Sequence, residues 1–88
     1  MEYAVEQGDI NTLYNLIEHN PHVLEEIDSI PFVETPLHVA ARAGHVQFVN
    51  EIMILKSSFS WKFNPQGLRP VHLALQQGHP RIVYHPKP

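Results

Sequence analysis

The stretch TPLHVAARAGH, residues 35–45, determines the fold that this chain of 88 residues is expected to adopt. A proline at the second position is typical of the first turn of a helix, where its missing N–H has no partner to lose. Apolar residues follow at helical spacing, at Leu37 and Ala40. Gly44 is typical of a helix end, because glycine adopts the left-handed conformation without steric cost. The stretch therefore predicts a short helix between Pro36 and Gly44.

The same pattern returns 34 residues later in RPVHLALQQGH, residues 69–79. Five positions are identical in the two copies: Pro36 and Pro70, His38 and His72, Ala40 and Ala74, Gly44 and Gly78, and His45 and His79. The N-terminal AVEQGDINTLYNLI matches AARAGHVQFVNEIM at an offset of 36. The offset changes just before the prolines, which predicts a loop there because loops tolerate insertions. The chain is therefore predicted to hold three units, at about 2–28, 29–62 and 63–85, of which the third stops early.

Each unit is predicted to contain a second helix directly after the glycine. Its aliphatic residues recur at spacings of three and four, which places them on one face of a helix. They are Ile10, Leu13, Leu16 and Ile17 in the first unit and Val46, Val49, Ile52 and Met53 in the second. A short apolar turn is expected after this helix, at residues 23–27 and 59–63. In NPQGL, residues 64–68, Gly67 supplies the positive φ of a tight turn.

The pattern also predicts the fold class. No stretch alternates apolar and polar residues with a period of two, so no independent sheet is expected. A helix pair of this size exposes as much apolar surface as it covers, so neighbouring units must stack to form a core. We therefore expect an all-α fold, a single domain of stacked helix pairs over residues 1–88.

The stretches TPLHVAARAGH and GLRPVHLALQQGH resemble the ankyrin repeat in their T-P-L-H turn, their A-A-x-x-G-H helix end and the second helix that follows. The resemblance extends over nearly the whole chain and implies an ankyrin-repeat solenoid of about two and a half helix-turn-helix repeats. The segments IPFVETPLH and SSFSWKFNPQG are similar to plant ankyrin proteins of the bian-da type, which act in immune and stress signalling. Members of that group typically have further repeats and a C-terminal membrane-spanning region, which this chain is expected to lack.

The resemblance assigns structural roles to the repeat motif. Thr35 and His38 are implied to form a hydrogen-bond network at the start of the first helix, and His45 and His79 to bind loop backbone. Arg69 replaces the threonine in the third unit, which leaves that half of the network open. The motif comprises Thr35, Pro36, Leu37, His38, Gly44, His45, Pro70, His72, Gly78 and His79.

The same resemblance implies that the chain binds another protein, through its turn tips and the concave face formed by its first helices. The residues expected on this surface are Phe32, Glu34, Arg42, Trp61, Gln66, Leu68, Arg69, Gln76 and Gln77. Trp61 has two interpretations, an anchor for a partner or a cover over the neighbouring turn of Phe59 and Phe63. The same two interpretations apply to Phe32.

Composition argues against several other functions. The formal net charge is −3 and the six Lys and Arg residues are scattered, so nucleic acid is not an expected partner. No apolar run reaches the roughly 18–20 residues that span a bilayer, and cytoplasmic residence is expected, with membrane association through a region outside this chain left open. The chain has no cysteine, no histidine pair at zinc-binding spacing within a predicted helix, and no nucleophile paired with a base. We therefore expect no enzyme activity, no metal and no cofactor.

The alternative interpretation is a truncated, marginally stable fragment of a longer ankyrin-repeat membrane protein, with little function of its own. Solenoids need about three repeats and polar caps at their ends. Pro86 is expected to end the last helix near Tyr84, because proline cannot continue a helix. The shortened third unit would then leave an uncovered side on Leu73, Leu75 and Val83.

Overall fold

The computed structural model describes residues 9–78. Helical elements account for most of this part of the chain. In order they are α1 (Ile10–His19), α2 (Val23–Asp28), α3 (Pro36–Ala43), α4 (Val46–Leu55), a 3-10 helix (Ser57–Trp61) and α5 (Pro70–Gln76). Residues 9–78 contain no strand, and one isolated parallel bridge joins Phe32 to Phe63. The all-α fold class predicted from the repeat pattern is confirmed.

The prolines and glycines of the repeat define helix ends as predicted. Pro36 and Pro70 are the first residues of α3 and α5. Gly44 follows α3 with φ of 79°, in the left-handed region, and its N–H donates to the Ala40 carbonyl at 3.0 Å. Gly78 has φ of 74° and lies two residues beyond the end of α5. The reversal at Gly44 lets α4 begin only two residues later.

The core passes through neighbouring units. Helix α3 is buried along its first six residues and packs against both α4 and α5. Ala40 and Ala41 are fully buried, and their small side chains allow the neighbouring helices to approach closely. The other members of the core cluster are Leu13, Leu24, Leu37, Val39, Phe48, Val49, Ile52, Phe59 and Ala74. Because these residues come from all three predicted units, the units share one core.

The last helix departs in one respect from the sequence prediction. Leu73 was expected to have an uncovered side, but it is buried with 5% of its surface exposed. The expectation of an uncovered side is therefore wrong for Leu73. Leu75, two positions further on, is 56% exposed, as expected for the opposite side of the helix. The predictions for Val83, Tyr84 and Pro86 concern positions outside the described residues.

The tight turn predicted at residues 64–68 is present. Gly67 has φ of 77°, and its N–H donates to the Asn64 carbonyl at 2.8 Å. The Asn64 side-chain oxygen accepts from the N–H groups of Gln66 and Leu68, at 3.0 and 2.9 Å. The earlier connection lies beside this turn, since the Val33 N–H donates to the Phe63 carbonyl at 3.1 Å. The two connecting segments are therefore aligned at one edge of the molecule.

Candidate protein-binding surface

A buried histidine fixes the position of the turn that carries much of the predicted surface. His38 lies in the first turn of α3 and is fully buried together with Thr35. The Thr35 N–H donates to His38 Nδ1 at 3.1 Å, and the His38 N–H donates to Thr35 Oγ1 at 3.3 Å. His38 Nε2 lies 2.9 Å from the Leu68 carbonyl of the next unit. With Nδ1 as acceptor, Nε2 carries the proton and donates to Leu68, so one imidazole joins two units.

This environment keeps His38 neutral. Burial lowers the pKa of the imidazole, because a charged ring loses its hydration inside the protein. The hydrogen bond to the Leu68 carbonyl acts in the opposite direction and only partly offsets the effect of burial. A neutral ring can accept at Nδ1 and donate at Nε2 at the same time, which a protonated ring cannot do.

The third unit retains only part of this arrangement. The Arg69 N–H donates to His72 Nδ1 at 3.2 Å, as Thr35 does to His38. The reciprocal bond is missing because a guanidinium has no acceptor atom for the His72 N–H. His72 is exposed, whereas His38 is buried. The third unit therefore keeps one of the two hydrogen bonds of this network, because Arg69 cannot accept the second.

The remaining motif histidines have different surroundings. His45 precedes α4, is half-buried, and its backbone N–H donates to the Ala40 carbonyl at 3.1 Å. Its side-chain role implied by the resemblance stays a prediction. His79 lies outside the described residues.

Three exposed aromatic side chains meet next to the aligned connections. Phe32 and Phe63 stack with ring centroids 6.2 Å apart and an angle of 25° between the rings. The guanidinium carbon of Arg69 lies 4.6 Å from the centre of the Phe63 ring and 5.3 Å from that of Trp61. Phe32 is 61% exposed, Trp61 47% and Phe63 36%. We call these four residues, Phe32, Trp61, Phe63 and Arg69, the aromatic patch.

Phe63 was not among the residues predicted to bind a partner. The repeat pattern assigned it to the apolar turn after the second helix, together with Phe59. The structure separates the two phenylalanines, since Phe59 is fully buried in the core and Phe63 is exposed beside Phe32. Their spacing of four residues indicates a shared helical face, but the 3-10 helix ends at Trp61 and the chain becomes extended at Lys62. No feature of the sequence marks that end.

The other residues predicted for the surface differ in how accessible they are. Gln66, Gln76 and Gln77 are exposed, and Leu68 is half-buried. Glu34 and Arg42 form an ion pair with each other, in which both Arg42 Nη groups donate to the carboxylate. The Arg42 guanidinium lowers the pKa of Glu34, because it stabilises the charged carboxylate. The charges of Glu34 and Arg42 therefore offset each other on the surface offered to a partner.

A metal-binding cluster and a membrane-spanning helix are both absent from residues 9–78. No group of three or more His, Cys, Asp or Glu side chains within residues 9–78 is placed to hold a metal ion. Among the described helices, none has the length and hydropathy that crossing a bilayer requires.

Helix pairs that stack on a shared core, with their connections aligned at one edge, define a helical-repeat protein. The family model described as "Ankyrin repeats (3 copies)" matches residues 1–84, so the chain belongs to the ankyrin-repeat family. Ankyrin repeats form a non-enzymatic fold that mediates protein-protein binding.

A curated relative supports the same assignment. The chain is 44% identical over 65 residues to "Ankyrin repeat-containing protein BDA1" of Arabidopsis thaliana. The matched region is 74% of this chain and 15% of the relative, so the chain spans only a small part of that protein. No solved structure gives a significant match.

Proposed function

We propose that this chain is a protein-protein interaction module of plant defence or stress signalling, and that it acts in the cytoplasm without catalysis. The observation that carries the proposal is the exposure of the aromatic patch. Large apolar side chains on a fixed surface favour binding, because covering them removes apolar area from water without ordering a flexible loop. Trp and Arg are also enriched among the residues that contribute most to protein interfaces.

Hydrogen bonds hold the backbone on both sides of the patch. Lys62 Nζ donates to the Asp28 backbone carbonyl, and the Asp28 carboxylate accepts from Ser58 Oγ at 2.9 Å. On the other side of the patch, His38 holds Leu68 directly before Arg69. The aromatic side chains therefore project from backbone that is tied at both ends, which lowers the entropy lost on binding.

The signalling context rests on similarity. Segments 30–38 and 57–67 are similar to plant ankyrin proteins of the bian-da type, and the curated relative is a plant ankyrin-repeat protein. Phe32, Trp61 and Phe63 lie in these two segments. We infer that they carry recognition, together with the exposed glutamines Gln66, Gln76 and Gln77.

Affinity capture with matched variants tests this proposal. The tagged chain is compared with a Phe32→Ser, Trp61→Ser double variant, and with an Ile54→Ser control. Ile54 is 78% exposed on α4, outside the proposed surface, so its loss removes an exposed apolar side chain elsewhere. We expect plant proteins that the wild type and the Ile54→Ser control retain and the double variant loses. Identical retained sets for all three would contradict the proposal, provided that circular dichroism shows the same helical content.

A further inference from the structure

The aromatic patch contains a cation that no carboxylate within residues 9–78 neutralises. Residues 9–78 include four Lys and Arg side chains, and three of them have acidic partners within this part of the chain. Lys56 and Lys62 lie 3.6 and 3.7 Å from the Asp28 carboxylate, and Arg42 pairs with Glu34. Arg69 has no carboxylate of a described residue within ion-pair distance. On a chain of net charge −3, this uncompensated positive charge distinguishes the patch from its surroundings.

The Arg69 side chain is held in place before any ligand arrives. Its Nε donates to the Trp61 carbonyl at 3.3 Å, and its guanidinium lies over the rings of Phe63 and Trp61. A guanidinium has five N–H donors in a fixed fork, so occupation of Nε leaves the four donors of the two Nη groups for a ligand. Two parallel donors of this kind match the two oxygens of a carboxylate.

We propose that the aromatic patch binds an acidic peptide segment of the partner protein, with a Glu or Asp carboxylate on Arg69 and an apolar side chain against Phe32 and Phe63. The inference rests on the proposed function as a protein-interaction module and specifies the chemistry of the partner. The charge of Arg69 supplies the selectivity for acid, and the two phenyl rings supply the apolar contact.

The spacing within the patch suits an extended ligand. Side chains two positions apart in an extended peptide point the same way and lie about 6.6–6.8 Å apart. The two phenyl rings are 6.2 Å apart, and the guanidinium carbon lies 4.6 Å from the nearer one. An extended segment with an acidic residue and an aliphatic residue two positions apart, in either order, can therefore reach Arg69 and the phenyl rings at once.

A peptide fits the patch better than the other anionic macromolecules. Binding to a nucleic-acid backbone depends on several phosphate contacts, each neutralised by a Lys or Arg. Attraction to an anionic membrane surface contributes only about 1 kcal/mol of binding free energy for each Lys or Arg. The patch supplies one unpaired cation, which suffices for one carboxylate and not for a row of phosphates.

Titration with two short peptides tests the inference on the unmodified chain. The probe is an acetylated and amidated peptide of the order Ser-Glu-Gly-Leu-Ser, and its control has glutamine in place of glutamate. Trp61 is the only tryptophan, so its fluorescence reports on the patch itself. We expect the acidic peptide to bind about five- to tenfold more tightly than the glutamine peptide, and added salt to reduce the difference. Equal affinities would overturn the inference.

Matched variants show whether the preference for acid depends on Arg69. Arg69→Thr restores the residue that the second unit has before its proline, so the start of α5 gains a cap while the cation is lost. We expect this variant to melt no lower than the wild type and to bind both peptides equally. Arg69→Lys keeps the charge without the planar fork and should retain part of the preference. Lys56→Gln removes a cation outside the patch and should retain all of it. Persistence of the full preference in Arg69→Thr would overturn the inference.

Two further ligands separate this inference from its competitors and from the function on which it rests. Tighter binding of a thymidine oligonucleotide, or of phosphatidylcholine vesicles with about one quarter phosphatidylserine, would overturn the peptide assignment. If plant proteins are captured through Phe32 and Trp61 but Arg69→Thr captures them equally, the interaction function stands and the acidic-ligand inference fails. If no protein is captured at all, the proposed function itself fails.

Discussion

At the scale of single residues, His38 shows how a repeat motif becomes a link between units. Its side chain completes the start of its own helix through Thr35 and holds the turn of the next unit through the Leu68 carbonyl. A buried group with both ring nitrogens satisfied avoids the cost of about 1–3 kcal/mol that an unpaired buried polar group carries. The patch residue Arg69 follows Leu68 directly, so the position of His38 affects the binding surface.

His38 also predicts how stability depends on pH. The pKa of the buried ring lies below its ordinary value of 6.5, so below that pH the unfolded chain binds a proton that the folded chain resists. Stability should therefore fall as pH drops from about 7.5 through 6.5, and this loss should end once pH is below the pKa of the folded state. The lowered pKa of Glu34 acts in a separate window, below its ordinary value of 4.5.

The His38→Gln variant isolates this contribution. At about pH 7.5 we expect urea unfolding to show a loss of about 1–3 kcal/mol, because glutamine cannot make both hydrogen bonds with the same geometry. The fall in stability between pH 7.5 and the mildly acidic range should be smaller in the variant than in the wild type. A slope unchanged by His38→Gln would contradict the account of this residue.

At the scale of elements, the short turns were as predictable from sequence as the helices. Pro36, Gly44 and Gly67 each restrict or release one backbone angle, and the structure has them at the expected helix start, helix end and tight turn. Local chemistry determines these features, so one residue suffices to predict each. Burial is different, because it depends on which other element packs nearby. That is why Leu73 was expected to have an uncovered side, although the structure buries it, and why Phe59 and Phe63 were grouped in one apolar turn, although only Phe59 is buried.

The turn at residues 64–68 provides a test of local strain. An added Cβ at Gly67 would meet no atom within 4 Å, so Gly67→Ala tests the cost of positive φ without a steric clash. We expect the free energy of unfolding to fall by about 1–2 kcal/mol, the cost of a left-handed conformation for a residue with a side chain. Gly67→Asn should cost less, because asparagine adopts this conformation more readily. Equal stability of Gly67→Ala and the wild type would show that the turn has another conformation in solution.

At the scale of the whole molecule, the repeat periodicity of the sequence predicted most of the fold but little of the binding surface. The identities between the second and third units predicted the helix pairs, their order and their stacking, because each unit must cover the apolar face of its neighbour. The patch depends on contacts between positions about 30 residues apart, such as Phe32 with Phe63. Such contacts follow from how the units are aligned, and no local pattern expresses them. Phe32, Trp61 and Arg69 were predicted for the surface, and a position of Trp61 or Phe32 over the turn of Phe59 and Phe63 was one of two interpretations. The exposure of Phe63 itself was not predicted.

Because the units stack on one another, we expect the described part of the chain to unfold cooperatively. The core cluster extends from Leu13 in α1 to Ala74 in α5, and His38 and Asp28 join neighbouring units through polar contacts. Residues linked in this way should unfold together, since the loss of one unit exposes the apolar face of the next.

Thermal unfolding followed by two signals tests this claim most directly. Far-ultraviolet circular dichroism reports on all helices, and the fluorescence of Trp61 reports on the junction between the second and third units. We predict one sigmoidal transition with the same midpoint by both signals. A broad melt near room temperature, or a fluorescence change well below the loss of helix, would contradict it. Such a result would favour a marginally stable fragment over a self-contained binding module.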